Sequence, residues 1–258
     1  MRILVANDDG IDAPGLKALA EILAKEHEVY VVAPNKERSA MGHALTLHRP
    51  LRMEKLQDDY FVGVKQAYEI EGSPTDCVKI AINKILPFKP DWVISGINHG
   101  PNMASDILYS GTVSVAIEGS MYGIKSIAFS LAESRAEGFE EPAKCVPQIL
   151  NLLSKTEFEW GPKTTFNVNI PAQKVVGIAF VPLALRMYSD AYIQRTDPRG
   201  RYYYWLAGDL LDTDANPDSD IMKVKQGYIT ITPITFEMTN FKLLNELKET
   251  FSKEKITL

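Results

Sequence analysis

Arg2-Ile3-Leu4-Val5-Ala6-Asn7-Asp8-Asp9-Gly10 is the stretch that decides the fold. Its first half is an apolar strand, and its second half turns abruptly polar. Gly15–Lys25 follows with helical spacing through Leu16, Leu19, Ala20 and Leu23, and Glu28–Ala33 is strand-like again, ending at Pro34. A strand, a helix and a second strand in that order imply a parallel sheet, because the crossover must return the second strand beside the first. Working outward, Ser73-Pro74-Thr75-Asp76 reads as a helix start: Ser73 caps the free amides, Pro74 fits the first turn, and Asp76 faces the positive end. That helix runs through Val78, Ile82 and Ile85 to Pro87. Asp91–Ser95 and Ser126–Leu131 read as strands around a helix at Thr112–Tyr122.

The later chain keeps the alternation less regularly. Lys144–Leu153 is helical in pattern, Thr165–Ile170, Val175–Val181 and Tyr228–Ile234 are strand-like, and Asn240–Phe251 supplies a terminal helix. Ala191–Leu206 holds Tyr202-Tyr203-Tyr204-Trp205 behind a Pro198-Arg199-Gly200 turn, the signature of a projecting hairpin. With no internal repeat and no long linker, residues 1–258 read as one α/β domain. Its sheet is doubly wound and mostly parallel, with a β-hairpin arm and a C-terminal helical tail.

In an open parallel sheet the strand ends line the ligand crevice, and Asp8 and Asp9 stand at the end of the first strand. In a straight strand they would point to opposite faces. Both reach one cation only if the strand stops near Asp8 and the chain turns, which Gly10 allows. Their mutual repulsion is relieved by a divalent ion, and oxygen ligands suit magnesium or manganese. Capping of the turn and the next helix would explain the two aspartates equally well.

A second polar cluster, Ser95-Gly96-Ile97-Asn98-His99-Gly100-Pro101-Asn102, follows another hydrophobic strand. Asn98 offers a carbonyl oxygen to a metal or amide hydrogens to phosphate. Tyr109-Ser110-Gly111-Thr112 then precedes a helix whose free amides can hold an anion, although Ser-Gly-Thr alone reads more simply as a cap. The chain has no Gly-x-Gly-x-x-Gly spacing for a dinucleotide and no Gly-Lys-Ser/Thr loop for a nucleoside triphosphate. Cys77 and Cys145 open no arginine-ended anion loop and read as reduced core thiols. Asp212–Asp220 resembles a calcium loop, but Pro217 stands where glycine is required and Lys223 where glutamate is. A solvated acidic loop capping a short helix is the reading there.

The formal net charge of −5 argues against a protein that coats DNA or RNA. No apolar run approaches the roughly 18 residues of a membrane span. A strand beginning at Arg2 leaves no room for a signal peptide. A cytoplasmic protein with no membrane partner is expected.

Taken together, these blocks resemble the survival protein SurE family of metal-dependent 5′/3′-nucleotidases. The resemblance lies in Ile3–Gly10, Val32-Ala33-Pro34 with Arg38-Ser39, Gly72–Val78, Val93–Asn102, Tyr109–Val113 and Gly227–Pro233. It implies a Rossmann-like core and one divalent metal, Mg²⁺ or Mn²⁺, per subunit on Asp8, Asp9, Ser39 and Asn98. Asp8, Asp9 and Asn98 would be catalytic, with phosphate held near Asn98, Asn102, Ser110, Gly111 and Thr112. It also implies hydrolysis of nucleoside 5′- and 3′-monophosphates, and of polyphosphate in some members. Homodimers or homotetramers would form through 191–206 as an oligomerisation hairpin and 240–251 as an exchanged C-terminal helix. Water attack and an aspartyl-phosphate route both fit this set. His43 shares the polar loop with Ser39 and is a candidate substrate or proton-transfer contact, though a structural hydrogen bond would explain it as well. The nonenzymatic alternative is a nucleotide-binding stress or regulatory module.

Overall fold

Ile3, Leu4, Val5 and Ala6 are all fully buried, which a strand achieves only when both faces of its sheet are covered. This strand, β1 (Arg2–Ala6), lies in parallel between β2 (Glu28–Pro34) and β5 (Trp92–His99). The computed structural model describes residues 1–132, 138–155, 163–185, 187–189, 191–208, 210–211 and 216–251. Within them the strands include β3 (Met53–Lys55), β4 (Gln66–Ile70), β6 (Lys125–Ala132), β7 (Thr164–Pro171) and β8 (Gly177–Phe180). They continue with β9 (Met187–Tyr188), β10 (Ala191–Thr196), β11 (Tyr202–Ala207), β12 (Leu210–Leu211) and β13 (Tyr228–Thr235). The helices are α1 (Pro14–Ala24), α2 (Pro74–Ile80), α3 (Gly111–Met121), α4 (Glu140–Ala143), α5 (Val146–Ser154), α6 (Asp220–Lys225) and α7 (Phe241–Phe251).

Nine strands form the main sheet in the order β3-β4-β2-β1-β5-β6-β7-β13-β8. Only the β3–β4 and β7–β13 pairs are antiparallel. Alternate residues of β1 serve two cores. Ile3 and Val5 pack with Leu16, Leu19 and Leu23 of α1 and with Ile149 and Leu150 of α5. Leu4 and Ala6 pack with Cys77 and Val78 of α2 and Val115 of α3. After β1 the chain builds outward through β2 and β4, then returns to place β5 on the other side of β1. The sheet therefore reverses direction between β1 and β5, and the crevice at such a switch point is where open α/β sheets bind ligands.

Two backbone features shape that crevice. The β5–β6 register shifts between Ser95 and Asn98, and a bulge of this kind re-aims the side chains after it. Gly96 sits there at φ +115°, where a Cβ would lie 2.2 Å from the Phe129 carbonyl oxygen. At the start of α1, a Cβ on Gly15 would lie 2.0 Å from the Ile97 carbonyl oxygen, so helix and bulge are in backbone contact.

The helix start at Ser73 has the expected cap: Ser73 Oγ accepts from Asp76 N (3.1 Å) and Asp76 Oδ2 accepts from Ser73 N (2.9 Å). The helix does not run unbroken to Pro87. From Ala81 to Ile85 it widens to a π-type turn closed by Leu86 N on Ala81 O (2.9 Å). Strands β3 and β4 were not read from the sequence, and the strand expected at 175–181 is confined to Gly177–Phe180. Cys77 and Cys145 are free thiols, the first fully buried and the second partly so. The expected solvated loop before Gly227 needs correction. Residues 212–215 lie outside the described residues, and Asp220 is fully buried. Its Oδ1 accepts from Ala184 N and Ile221 N, and its Oδ2 from Ala104 N.

Candidate active site

Strand β1 ends at Ala6, and the next four residues turn. Gly10 adopts φ +99°, and Asn7 Nδ2 donates to its carbonyl (2.9 Å). The turn lets neighbouring aspartates converge. Asp8 points to the N-terminus of α3, where the Thr112 hydroxyl and the Gly111 and Thr112 amides donate to its carboxylate. No side chain stands between Gly111 and Asp8: a Cβ there would lie 2.7 Å from Asp8 Oδ2. Thr112 Oγ1 also lies 3.2 Å from Asn98 Oδ1, so one hydroxyl bridges the ends of β1 and β5. Asn98 turns its amide nitrogen to the Gly100 carbonyl (2.8 Å), which leaves its oxygen on the Thr112 side.

Asp9 accepts from the His99 amide (3.3 Å). Burial, then the neighbouring charge of Asp8, pushes its pKa up to about 6; Glu37 adds to the rise and His99 opposes it. Asp8 is raised as well, with burial outweighing the hydrogen bonds it receives. A buried and a half-buried carboxylate held this way are short of positive charge. Ser39 stands across the cleft, exposed, its hydroxyl donating to Glu37 Oε1 (2.7 Å). A hydroxyl whose proton is so held keeps its lone pairs for a cation.

Among the described residues, no group of three His, Cys, Asp or Glu side chains is arranged to hold a metal ion by itself. A cation here would be held by two carboxylates plus neutral oxygens from Asn98 and Ser39. That donor set fits a hard divalent ion with open positions for water, magnesium or manganese rather than a thiolate-seeking metal.

Other expected residues also make hydrogen bonds within the chain. Ser110 caps α3, its Oγ accepting from Val113 N (3.0 Å). Asn102 faces inward: its Nδ2 donates to Ser130 Oγ (2.8 Å), its N to Asn169 Oδ1 (2.9 Å), and its carbonyl accepts from Asn167 and Asn169. Its geometry is that of an anchor for the loop leading to Ser110. His43 is not brought to the carboxylates. Its Nε2 lies 2.7 Å from Glu118 Oε2, and Lys79 holds the other Glu118 oxygen at 3.0 Å. Glu118 is about 10 Å along α3 from Gly111. His43 thus ties its loop to the helix flank, the structural alternative.

Sequence reasoning missed Glu37, Glu118, Asp220, Asn167 and Asn169. A signal existed for the last two, since polar residues alternating along an otherwise buried strand must find partners. The aromatic arm is where it was expected: β10 and β11 pair from Ala191↔Ala207 to Thr196↔Tyr202. Arg201 there pairs with Asp197 inside the turn (3.1 Å).

A family model described as survival protein SurE matches residues 3–190. The chain is 44% identical over 257 residues to the 5′-nucleotidase SurE of Pelotomaculum thermopropionicum, covering 99% of this chain and 97% of that protein. It is 46% identical over 252 residues to the protein of the same description from Desulforudis audaxviator, covering 96% and 97%. The crystal structure of the SurE protein from Aquifex aeolicus matches with a TM-score of 0.82 and 38% identity, covering 97% of this chain and 99% of that one.

Proposed function

The chain belongs to the survival protein SurE family, and from that premise we propose that it is a 5′-nucleotidase, a phosphomonoesterase that works with one divalent cation per subunit. The observation that carries this reading is the Thr112 hydroxyl, bonded at once to Asp8 and Asn98 where the sheet reverses direction. Asp8, Asp9, Ser39 and Asn98 would hold the cation, and Asp8, Asp9 and Asn98 are the catalytic set. A bound divalent ion supplies Lewis-acid charge to a phosphate oxygen.

The chain's own groups do the rest. Asp8 and Asp9, both raised in pKa by burial, would be favoured in their ionised forms as ligands of a cation. The Thr112 hydroxyl and the Gly111 and Thr112 amides hold Asp8 at the N-terminus of α3, and the positive end of that helix favours phosphate charge beside it. Ser110 fixes the helix end that carries them, and Asn102 fixes the loop before it. Direct attack by water and attack by an aspartate both fit these positions; a quench during turnover, followed by a search for phosphate on aspartate, separates them.

Nucleoside 3′-monophosphates and polyphosphate belong to the same proposal as further substrates, since the phosphate end alone engages the cation. Assembly belongs to it too. Tyr192, Tyr202, Tyr203, Tyr204 and Trp205 are between 43% and 68% exposed on a two-stranded arm, and an isolated two-stranded hairpin is marginal in water. Helix α7 has no buried residue, although Phe241, Leu243, Leu247 and Phe251 are apolar. A homodimer or homotetramer, with the arm as contact and α7 exchanged, gives both a partner. No helix of the described residues is long and apolar enough to cross a membrane.

The deciding experiment is phosphate release from a panel of nucleoside 5′- and 3′-monophosphates, sugar phosphates and polyphosphate with Mg²⁺ or Mn²⁺. Metal-dependent release from mononucleotides is expected. Nucleotide binding without turnover would replace the enzyme with a binding module.

A further inference from the structure

Asp8 and Thr112 are nearly or fully buried, so whatever a bound phosphate is esterified to must leave the site on its open side. A cavity of about 330 Å³ adjoins the proposed cation ligands, lined by Asp9, Ser39 and Glu37 together with Pro14, His99 and Phe139. That volume is at the lower end of the ~300–1,000 Å³ typical of small-molecule sites. The walls differ in chemistry. His99 is exposed but not loose: its ring meets the buried Phe139 edge to face, centroids 6.1 Å apart at 66°. Its backbone amide is fixed on Asp9. An imidazole so held is a flat platform of the kind on which nucleobases stack. In the same lining, Glu37 spends one carboxylate oxygen on Ser39, and its other oxygen has no hydrogen-bond partner among the described residues.

A bare carboxylate beside a phosphate site repels phosphate but accepts from hydroxyls. We infer that this cavity is the nucleoside subsite: His99, backed by Phe139, stacks on the base, and Glu37 accepts from a ribose hydroxyl. The inference rests on the nucleotidase reading and adds to it where the leaving nucleoside is held. His99 acts here through its ring face, without proton transfer.

Calorimetric titration of the Mg²⁺-loaded full chain with adenosine tests it. Binding about tenfold weaker in His99→Ala than in wild type is expected, within the range of base–aromatic stacking. In turnover, the ratio of kcat/KM for AMP to that for ribose 5-phosphate should fall by a similar factor. Equal adenosine affinity in the two proteins would overturn the subsite. An equal fall for both substrates would also overturn it, since it would mean only a damaged cation site. The wild-type chain tests Glu37 without a variant: 2′,3′-dideoxyadenosine should bind several-fold more weakly than adenosine, and equal binding removes the ribose contact. If AMP is not hydrolysed with any divalent metal while adenosine still binds in a His99-dependent way, the nucleotidase reading fails and the subsite stands.

Discussion

Strands β1 and β11 are both built from large or apolar residues, yet they end in opposite environments. Ile3 to Ala6 are fully buried, whereas Tyr202 to Leu206 are 43–76% exposed. The first strand is covered on both faces by helices of its own chain. Among the described residues the second pairs with β10 alone, and its aromatic side chains are exposed. Apolar content therefore says that a segment needs a partner, and topology says whether the chain supplies it. Chemistry follows the same division, because every residue of the proposed cation and phosphate sites lies before residue 113, among elements that later parts of the same chain cover.

The comparison can be broken most severely at Asp8. Asp8→Asn, assayed at saturating metal, should lower kcat by about 10³, on the order of 4 kcal/mol of transition-state stabilisation. Near-wild-type turnover would remove Asp8 from the site and, with it, the functional meaning of the buried half. Gly111→Ala comes next, since its methyl would intrude on the Asp8 carboxylate. A loss of about 10² in kcat/KM is expected, with a thermal midpoint within a few degrees of wild type because alanine suits a first helical turn. A large fall in the midpoint instead would show that fold and site are not separable there.

A third test removes the metal. With the folded pKa of Asp9 raised to about 6 from 3.8, the metal-free native state binds a proton that the unfolded chain has released. Its stability should therefore fall as pH rises from about 4 to 6 and stay low above that, by about 2 kcal/mol. Saturating Mg²⁺ should abolish the fall by favouring the ionised pair. Urea unfolding in chelator and in Mg²⁺ across that range measures both, and matching curves would mean that the carboxylates hold no cation. The smallest effect on the core is expected from replacing Tyr202–Trp205 with serines. Oligomer mass by light scattering should drop, while the unfolding free energy of the remaining monomer, measured in urea, changes by less than about 1 kcal/mol, as with exposed substitutions. An unchanged mass would take the arm out of assembly.

Much of the buried half was legible because its signals are local. The strand–helix–strand rhythm from Arg2 to Pro34, the Ser73 cap and the turn at Gly10 each declare themselves within a few residues. What escaped was set at a distance. Glu54 and Glu69 face each other across β3 and β4, and neither the exposed edge strand β3 nor the half-buried β4 shows a clear apolar alternation. Glu118 makes sense only once His43 and Lys79 have been folded against it. Ser39 reads as one loop serine among several until the chain packs back over Gly10, where Arg38 N meets the Asp8 carbonyl (2.7 Å). Before that packing only family resemblance marks it. Asp220 was misread because acidic neighbours in a row suggest solvent, while its three amide partners come from separate segments.

That last contact joins Ala104 to a carboxylate 116 positions downstream. Proteins are made from the N-terminus, and domains begin to fold as they emerge. A ribosome that has released the first 112 residues has delivered every proposed ligand of cation and phosphate, but not the brace that seats the loop between them. The unfinished chain thus carries the reactive groups without their final alignment, and competence waits for α6 to arrive.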